Sequence, residues 1–370
     1  MPGLPCRPTA LNLHPMLLGH MKDPRWPASE EALADARDFL MALKDRHVVV
    51  APHPSVDGLA AGALVLRALQ AVGARVKALV PARGEHALSP TFQQRLRAAQ
   101  PDAWVMLEMS SDAMDDSVAP PDLPTLIVAP QAALAPAGKA GTTVLSARGL
   151  EPAVSCSLLT YALVSSCVVP GPLEWLAVLG TVADQGVDAP IPFLKDALRR
   201  AGRTAVTESV ALLNAARKSS RYAAPLALGV LLRAGSATDI TRGNVPGVDT
   251  LHDCRLEVQR EVLRCSKTPP RIASPVALLL FSSEAQVHPQ VAVRWAQRLP
   301  EHIIIAANAG YLPGRVDFAV RSRTPMELGG LPLNATGGSL SREDFLRFAA
   351  GLGFKGLRDI DVERRGTFPG

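Results

Sequence analysis

Aromatic residues are scarce in this chain: Phe, Trp and Tyr together make up 4% of its 370 residues. Any core must therefore be assembled mainly from Ala, Leu and Val, for which the 48% hydrophobic share is ample. Long apolar runs are missing too. None approaches the roughly 18–20 residues needed to cross a bilayer, so no membrane association through a spanning helix is expected. The stretch Met1–His20 lacks the basic start and following apolar run of a secretory leader, which predicts a cytoplasmic protein. Cysteine is sparse: five residues, at 6, 156, 167, 254 and 265, with no C-x-x-C pair. That pattern argues against a disulfide framework and against a zinc knuckle.

What is present reads as two domains. The formal charge is +5. Such an excess fits a polyanionic partner, or the base composition behind an Arg- and Ala-rich sequence, and charge alone does not decide between them. Residues 1–30 are Pro-rich and are expected to form an irregular arm. Residues 31–200 alternate helical and strand patterns. Apolar residues recur at helical spacing over Ser29–Lys44 and again over Leu59–Val72, which stops at Gly73. Strands are predicted at His47–Val50, Arg75–Val80, Ala103–Met109, Leu123–Val128 and Thr142–Ser146. Alternation of this kind implies an α/β fold with a parallel sheet, because a parallel return needs a long crossover. Helical patterns follow at Val154–Val168 and Leu173–Val182. Residues 201–270 read as a helical connector, with breaks at Gly202, Gly235 and Gly243–Gly247. Residues 271–360 form a smaller α/β module: strand Val276–Phe281, helix Val287–Leu299, strands Ile303–Ala307 and Val316–Arg321, a Gly-rich turn, and helix Arg342–Leu352 behind Ser341.

Parallel sheets bind ligands beyond the carboxyl ends of their strands. The first strand is followed by His53-Pro-Ser-Val-Asp57-Gly58, the third by Glu108, the fourth by Ala129-Pro130-Gln131. A later helix ends in Val182-Ala183-Asp184-Gln185. This order of sites resembles the DHH (RecJ-like) phosphoesterases. The stretch Ala306–Arg323, with the turn Gly329–Gly338, is similar to that family's DHH-associated C-terminal domain. The resemblance covers about residues 45–190 and 275–350. It implies a site in which carboxylates and imidazoles hold two divalent metals, typically manganese, for attack of water on a phosphodiester.

The departures from that pattern are as informative as the matches. Ser55 stands where the nuclease branch has Asp, and Glu108 replaces Asp. Ala129, Pro130 and Gln131 occupy the positions of the name-giving Asp-His-His, and Leu331 matches a His of the C-terminal turn. The remnant set is His53, Asp57, Glu108 and Asp184, with His53, Asp57 and Asp184 as the residual metal ligands for weakly bound manganese or none. Each of these also has a plain structural reading, as a strand-end or helix-end cap. Asp112, Asp115 and Asp116 read as a solvated loop, and the Ser155-Cys156-Ser157 cluster as a helix N-cap rather than a nucleophile. His86, His252, His288 and His302 read as structural or surface residues.

Arg321 and Arg323 sit at same-face spacing on a strand. Beside Gly337 and Gly338 they suit phosphate recognition, or else mark a solvated strand end. The resemblance implies a catalytically inactive relative that binds single-stranded nucleic acid or nucleotides in an interdomain cleft. The alternatives are an active manganese-dependent phosphodiesterase with a reduced site, and a structural subunit of a protein complex.

Overall fold

The computed structural model describes residues 23, 25–86, 88–108, 123–132, 141–165, 167, 171–323, 337–359 and 361. The chain divides into two compact units, Met1–Asn214 with Ala224–Asp249, and Ala215–Ala223 with Thr250–Gly370.

In the first unit, α1 (Glu30–Met41) starts behind Ser29, whose side chain accepts the Ala32 N–H. Then come β1 (His47–Pro52), α2 (Val56–Val72), β2 (Arg75–Ala78), α3 (Pro90–Ala98), β3 (Ala103–Leu107), β4 (Thr125–Val128) and β5 (Thr142–Leu145). The helices α4 (Cys156–Val164), α5 (Glu174–Gln185), α6 (Leu194–Ala201), α7 (Arg203–Lys218), α8 (Ala224–Arg233) and α9 (Ala237–Thr241) follow. All four strand pairings are parallel, in the order β2-β1-β3-β4-β5. β1, β3 and β4 are almost wholly buried apolar runs, as expected of a parallel sheet covered on both faces.

Helix α2 is the centre of the unit. Every residue from Val56 to Leu66 is buried, and the helix packs on β1, α4, α5 and α8. Its Ala and Gly content permits that crowding: a Cβ on Gly62 would lie 2.8 Å from the Pro52 Cβ. Arg67 closes the far end, donating to the carbonyls of Leu231, Leu232 and Ala234 at 3.3, 3.1 and 2.8 Å. Within the expected N-terminal arm, Trp26 is buried, and its indole N–H donates to the Pro152 carbonyl at 2.9 Å.

The second unit takes in the end of α7 and most of α10 (Val248–Cys265), then β6 (Arg271–Ala273), β7 (Val276–Phe281), α11 (His288–Arg298), β8 (Ile303–Asn308), β9 (Arg315–Arg321), β10 (Gly337–Ser341) and α12 (Arg342–Gly351). Its sheet runs β10-β9-β8-β7-β6 and is mixed: only β7 and β8 pair in parallel. One apolar layer joins α10 and α11 to one face of the sheet, and a second gathers Phe318, Phe345 and their neighbours on the other.

The architecture is the predicted one, α/β with a parallel N-terminal sheet and a smaller C-terminal α/β unit. Three elements went unpredicted. α3 is polar over most of its length, though Ser89 followed by Pro90 is a helix-start signal. β6 and β10 are short edge strands in which no residue is fully buried. α2 begins three residues earlier than expected, because Ser55 accepts the Gly58 N–H and so caps it.

Candidate functional site

The order β2-β1-β3 places the topological switch between β1 and β3, since the chain leaves β1 toward one edge and builds toward the other from β3. Ligand crevices in open α/β sheets lie beyond the carboxyl ends of such strands. Here those ends carry His53 and Glu108. The His53 N–H donates to the Leu107 carbonyl at 3.1 Å, which locks the two ends together. Glu108 adopts a left-handed backbone, φ 57°. That conformation is uncommon for a residue with a side chain and costs on the order of 1 kcal/mol.

The Glu108 carboxylate accepts a short hydrogen bond from the Ser55 hydroxyl. His53 Nδ1 lies 3.6 Å from the same carboxylate and accepts the Ser55 N–H at 3.2 Å. Gly58 makes this convergence possible: a Cβ there would meet the His53 carbonyl at 2.5 Å and the Glu108 carboxylate at 2.6 Å. Ser55 thus bridges the strand end, the helix start and the acid.

Asp57 faces the other way. It is 3% exposed, and its two oxygens accept the backbone N–H groups of Cys156 at 2.7 Å and Ser157 at 2.9 Å. These are first-turn donors of α4, groups that a helix cannot satisfy by itself. Ser155 caps the same helix by accepting the Leu158 N–H at 3.3 Å, and its hydroxyl meets that of Thr181 at 2.7 Å. The cluster at 155–157 is therefore a cap, as expected. Burial, with the charges of Asp57 and Glu108, pushes the Cys156 thiol well above its usual range. Gly180 on α5 permits the approach, since a Cβ there would lie 2.6 Å from Asp57 Oδ1.

Asp184 lies one turn further along α5 and is exposed. Partial desolvation and then the Glu108 charge push its carboxyl up. Burial and then Glu108 push Asp57 up, to about 7, against the bonds from Ser157 and with a smaller contribution from Asp184. Three of the four remnant residues, the carboxylates, thus feel one another's charge, and His53 adjoins Glu108.

The fit to a pair of divalent cations is poor. Each oxygen of Asp57 accepts one N–H from α4, and Ser55 bonds one oxygen of Glu108. At the end of β4, Ala129 lies in the core, and the Pro130 carbonyl accepts the Ala147 N–H at 3.0 Å. Neither residue offers a carboxylate or imidazole, and Gln131 is exposed. Among the described residues, no group of three or more His, Cys, Asp or Glu side chains is arranged to hold a metal ion. The described residues therefore supply fewer ligands than a two-cation clamp requires.

In the second unit, Arg321 ends β9 half-buried, with one guanidinium N–H donated to the Val320 carbonyl at 2.7 Å, and Arg323 is exposed just beyond the strand. Gly337 and Gly338 are not turn residues. They open β10, in register with Ala319 and Phe318. At Gly337 φ is 138°, and a Cβ would run into the Phe318 carbonyl and lie 2.9 Å from the Ala319 Cα. Close strand approach accounts for that glycine without a ligand. Leu331, the remainder of the Gly-rich turn, and Asp112, Asp115 and Asp116 lie outside the described residues.

The hydroxyl bridge at Ser55 and the backbone donors facing Asp57 escaped the sequence reading. Backbone donors leave no residue-type signal. The small residue four positions before Asp184 was the available hint that a neighbour approaches α5 closely.

No family model matches the chain, and no curated protein does. Solved structures do. A manganese-bound exonuclease RecJ superposes with a TM-score of 0.61 at 17% identity, over 90% of this chain and 97% of that one. RecJ of Thermus thermophilus in complex with Mn2+ gives 0.59 at 16% identity, over 96% of this chain and 56% of the longer Thermus protein. CDC45 of Entamoeba histolytica gives 0.53 at 10% identity, over 87% of this chain and 97% of that one. Among the described residues no helix is long and apolar enough to cross a membrane. The chain has the two-domain α/β fold shared by RecJ and CDC45.

Proposed function

We propose that this chain is a catalytically inactive RecJ-like protein that binds single-stranded nucleic acid or nucleotides through its second unit. One observation carries the inactivity: both oxygens of the Asp57 carboxylate are bonded to backbone N–H groups of α4. With each oxygen already accepting one N–H, Asp57 keeps a single lone pair per oxygen, and residues 129–131 supply no further carboxylate or imidazole. Binding is supported by Arg321 and Arg323 at the end of β9, where cations can contact phosphate oxygens without any metal.

The test pairs a nuclease assay with a binding assay on the same preparation. Full-length protein with Mn2+ is expected to leave single-stranded DNA, short RNA and dinucleotides intact, and to retain labelled single strands at low salt. Turnover that disappears in Asp57→Ala would establish the alternative, a manganese-dependent phosphodiesterase with a reduced site. That alternative draws on the mutual influence of Asp57, Glu108 and Asp184, since strongly perturbed acids cluster at functional sites. Intact substrates with no strand retention would favour a structural subunit instead.

A further inference from the structure

Helix α10 carries apolar side chains on both of its faces. Cys254, Val258, Val262 and Cys265 are buried in the layer that covers one face of the second sheet. Leu256 and Leu263, by contrast, are 50% and 54% exposed. At about 100° per residue, both lie nearly opposite the buried stripe, one above the other. A single exposed leucine is ordinary. Among the described residues, however, the other large apolar side chains in solvent are Met41, Ile272 and Val293, on three different elements, and only Leu256 and Leu263 share one. Their seven-residue spacing is the one at which one helix packs along another.

The charges on this crest are sorted along its length. Asp253 is exposed one turn before Leu256, and Lys267 is exposed one turn after Leu263. Lys267 still follows the helical path: its N–H donates to the Arg264 carbonyl at 3.1 Å, and the Ser266 N–H to the Val262 carbonyl at 3.0 Å. Gln259 and Arg260, both exposed, lie between the leucines. Asp253 meets Arg221 at 3.4 Å in a pair exposed on both sides, which holds it only weakly. Arg264 is committed to Glu261 at 2.8 and 2.7 Å and to the Ser282 carbonyl at 2.7 Å, so it is not counted with Lys267.

We propose that this crest binds a second copy of the chain, the two α10 helices lying antiparallel about a two-fold axis. Such an axis makes every contact reciprocal, so the surface must complement itself. An axis midway between Gln259 and Arg260 sets Leu256 of each copy against Leu263 of the other. The same register brings Asp253 of each copy within one residue, about 1.5 Å along the helix, of Lys267 of the other. One register therefore satisfies the apolar contact and the ion pair, and each forms twice. Parallel pairing would set Asp253 against Asp253 and Lys267 against Lys267. A nucleic acid explains the face less well, because neither the leucines nor Asp253 serve a phosphate backbone. Arg260 meets Gln259 near the axis and finds no acid there. A single helix pair also buries less than the roughly 800 Å² per partner of stable complexes, so the dimer is expected to be reversible and half-formed near about 100 µM. The inference does not rest on the proposed function.

Sedimentation equilibrium of the full chain at low salt, up to about 1 mM, is the test. A monomer–dimer equilibrium is expected, weakened at least about fivefold in Leu256→Gln and in Leu263→Gln, since each substitution removes two contacts by symmetry. Asp253→Lys sets cations face to face, and Lys267→Glu sets acids face to face. Each alone should weaken the dimer at least about fivefold. The double variant Asp253→Lys, Lys267→Glu should regain the wild-type constant, a rescue that misfolding cannot produce. A chain that stays monomeric overturns the proposal. So does a dimer indifferent to both leucine substitutions, or a double variant no tighter than its parents. Single-strand retention that falls in the leucine variants of a monomeric protein would assign the face to nucleic acid and overturn it equally. Dimerisation without strand retention removes the functional reading and leaves this surface standing; strand retention by a monomer removes this surface alone.

Discussion

Asp57 reaches across 99 residues of sequence to accept the backbone N–H of Cys156 at 2.7 Å. Its other oxygen takes the N–H of Ser157, so one buried carboxylate holds the start of α4 against the start of α2. Removing it strands two buried donors, each worth roughly 1–3 kcal/mol when left unpaired. Asp57→Ala should therefore lower unfolding stability by about 3 kcal/mol in urea titrations, equally with EDTA and with Mn2+. A loss seen only in the presence of metal would reassign Asp57 from cap to ligand.

The same residue makes stability depend on pH. Its folded carboxyl is raised from 3.8 to about 7, so between those values the folded chain holds a proton that the unfolded chain has released. Stability then falls as pH rises through that window, by at most about 1.4 kcal/mol per pH unit for one proton. Asp184, raised as well, adds a smaller slope of the same sign. Urea midpoints at pH 5, 6 and 7 should decline for the wild type and decline less for Asp57→Asn. Parallel lines for the two proteins would show that Asp57 ionises normally.

Much of the fold was legible because its signals are local. Buried apolar runs mark β1, β3, β4 and β7, helical spacing marks α1 and α2, and Gly73 takes the left-handed stop that ends α2. The edge strands were not legible, because β6 and β10 bury too little to be patterned. At the site, residue identity showed that His53, Asp57, Glu108 and Asp184 occur in the family's order. It did not show that Asp57 points inward to a helix start while Ser55 turns to Glu108. Those choices are made by backbone donors and by a positive φ at Glu108, which no residue type announces.

Ser55 offers a direct probe of the switch point. Asp is as good an N-cap as Ser, so Ser55→Asp would ordinarily be neutral. Here it replaces a hydroxyl that donates to Glu108 with a carboxylate that repels it. The expected loss is about 1–2 kcal/mol at neutral pH. Mn2+ should not restore it, because Asp57 stays committed to α4. Thermal unfolding with and without Mn2+ reads this directly, and a melting point that rises with metal in the variant alone would show that a cation site lies one substitution away.

Arg321 and Arg323 should divide their effects by burial. Arg323 is exposed, whereas Arg321 is half-buried and bonded to the Val320 carbonyl. Arg323→Ala is expected to weaken single-strand binding with no change in melting point, and Arg321→Ala to weaken binding with a small loss of stability as well. Each phosphate contact on a single strand releases condensed counterions and contributes roughly −0.7 to the log–log slope of affinity against salt. Each variant should then flatten the wild-type slope by about 0.7, and without sequence preference, because phosphate contacts carry no base information. Arg83→Ala, in the other unit, should leave the slope alone. Fluorescence anisotropy across a salt series separates the cases. Variants that bind as tightly and with the same slope as the wild type would leave this strand end as fold inheritance, and the search for a ligand would move to a protein partner.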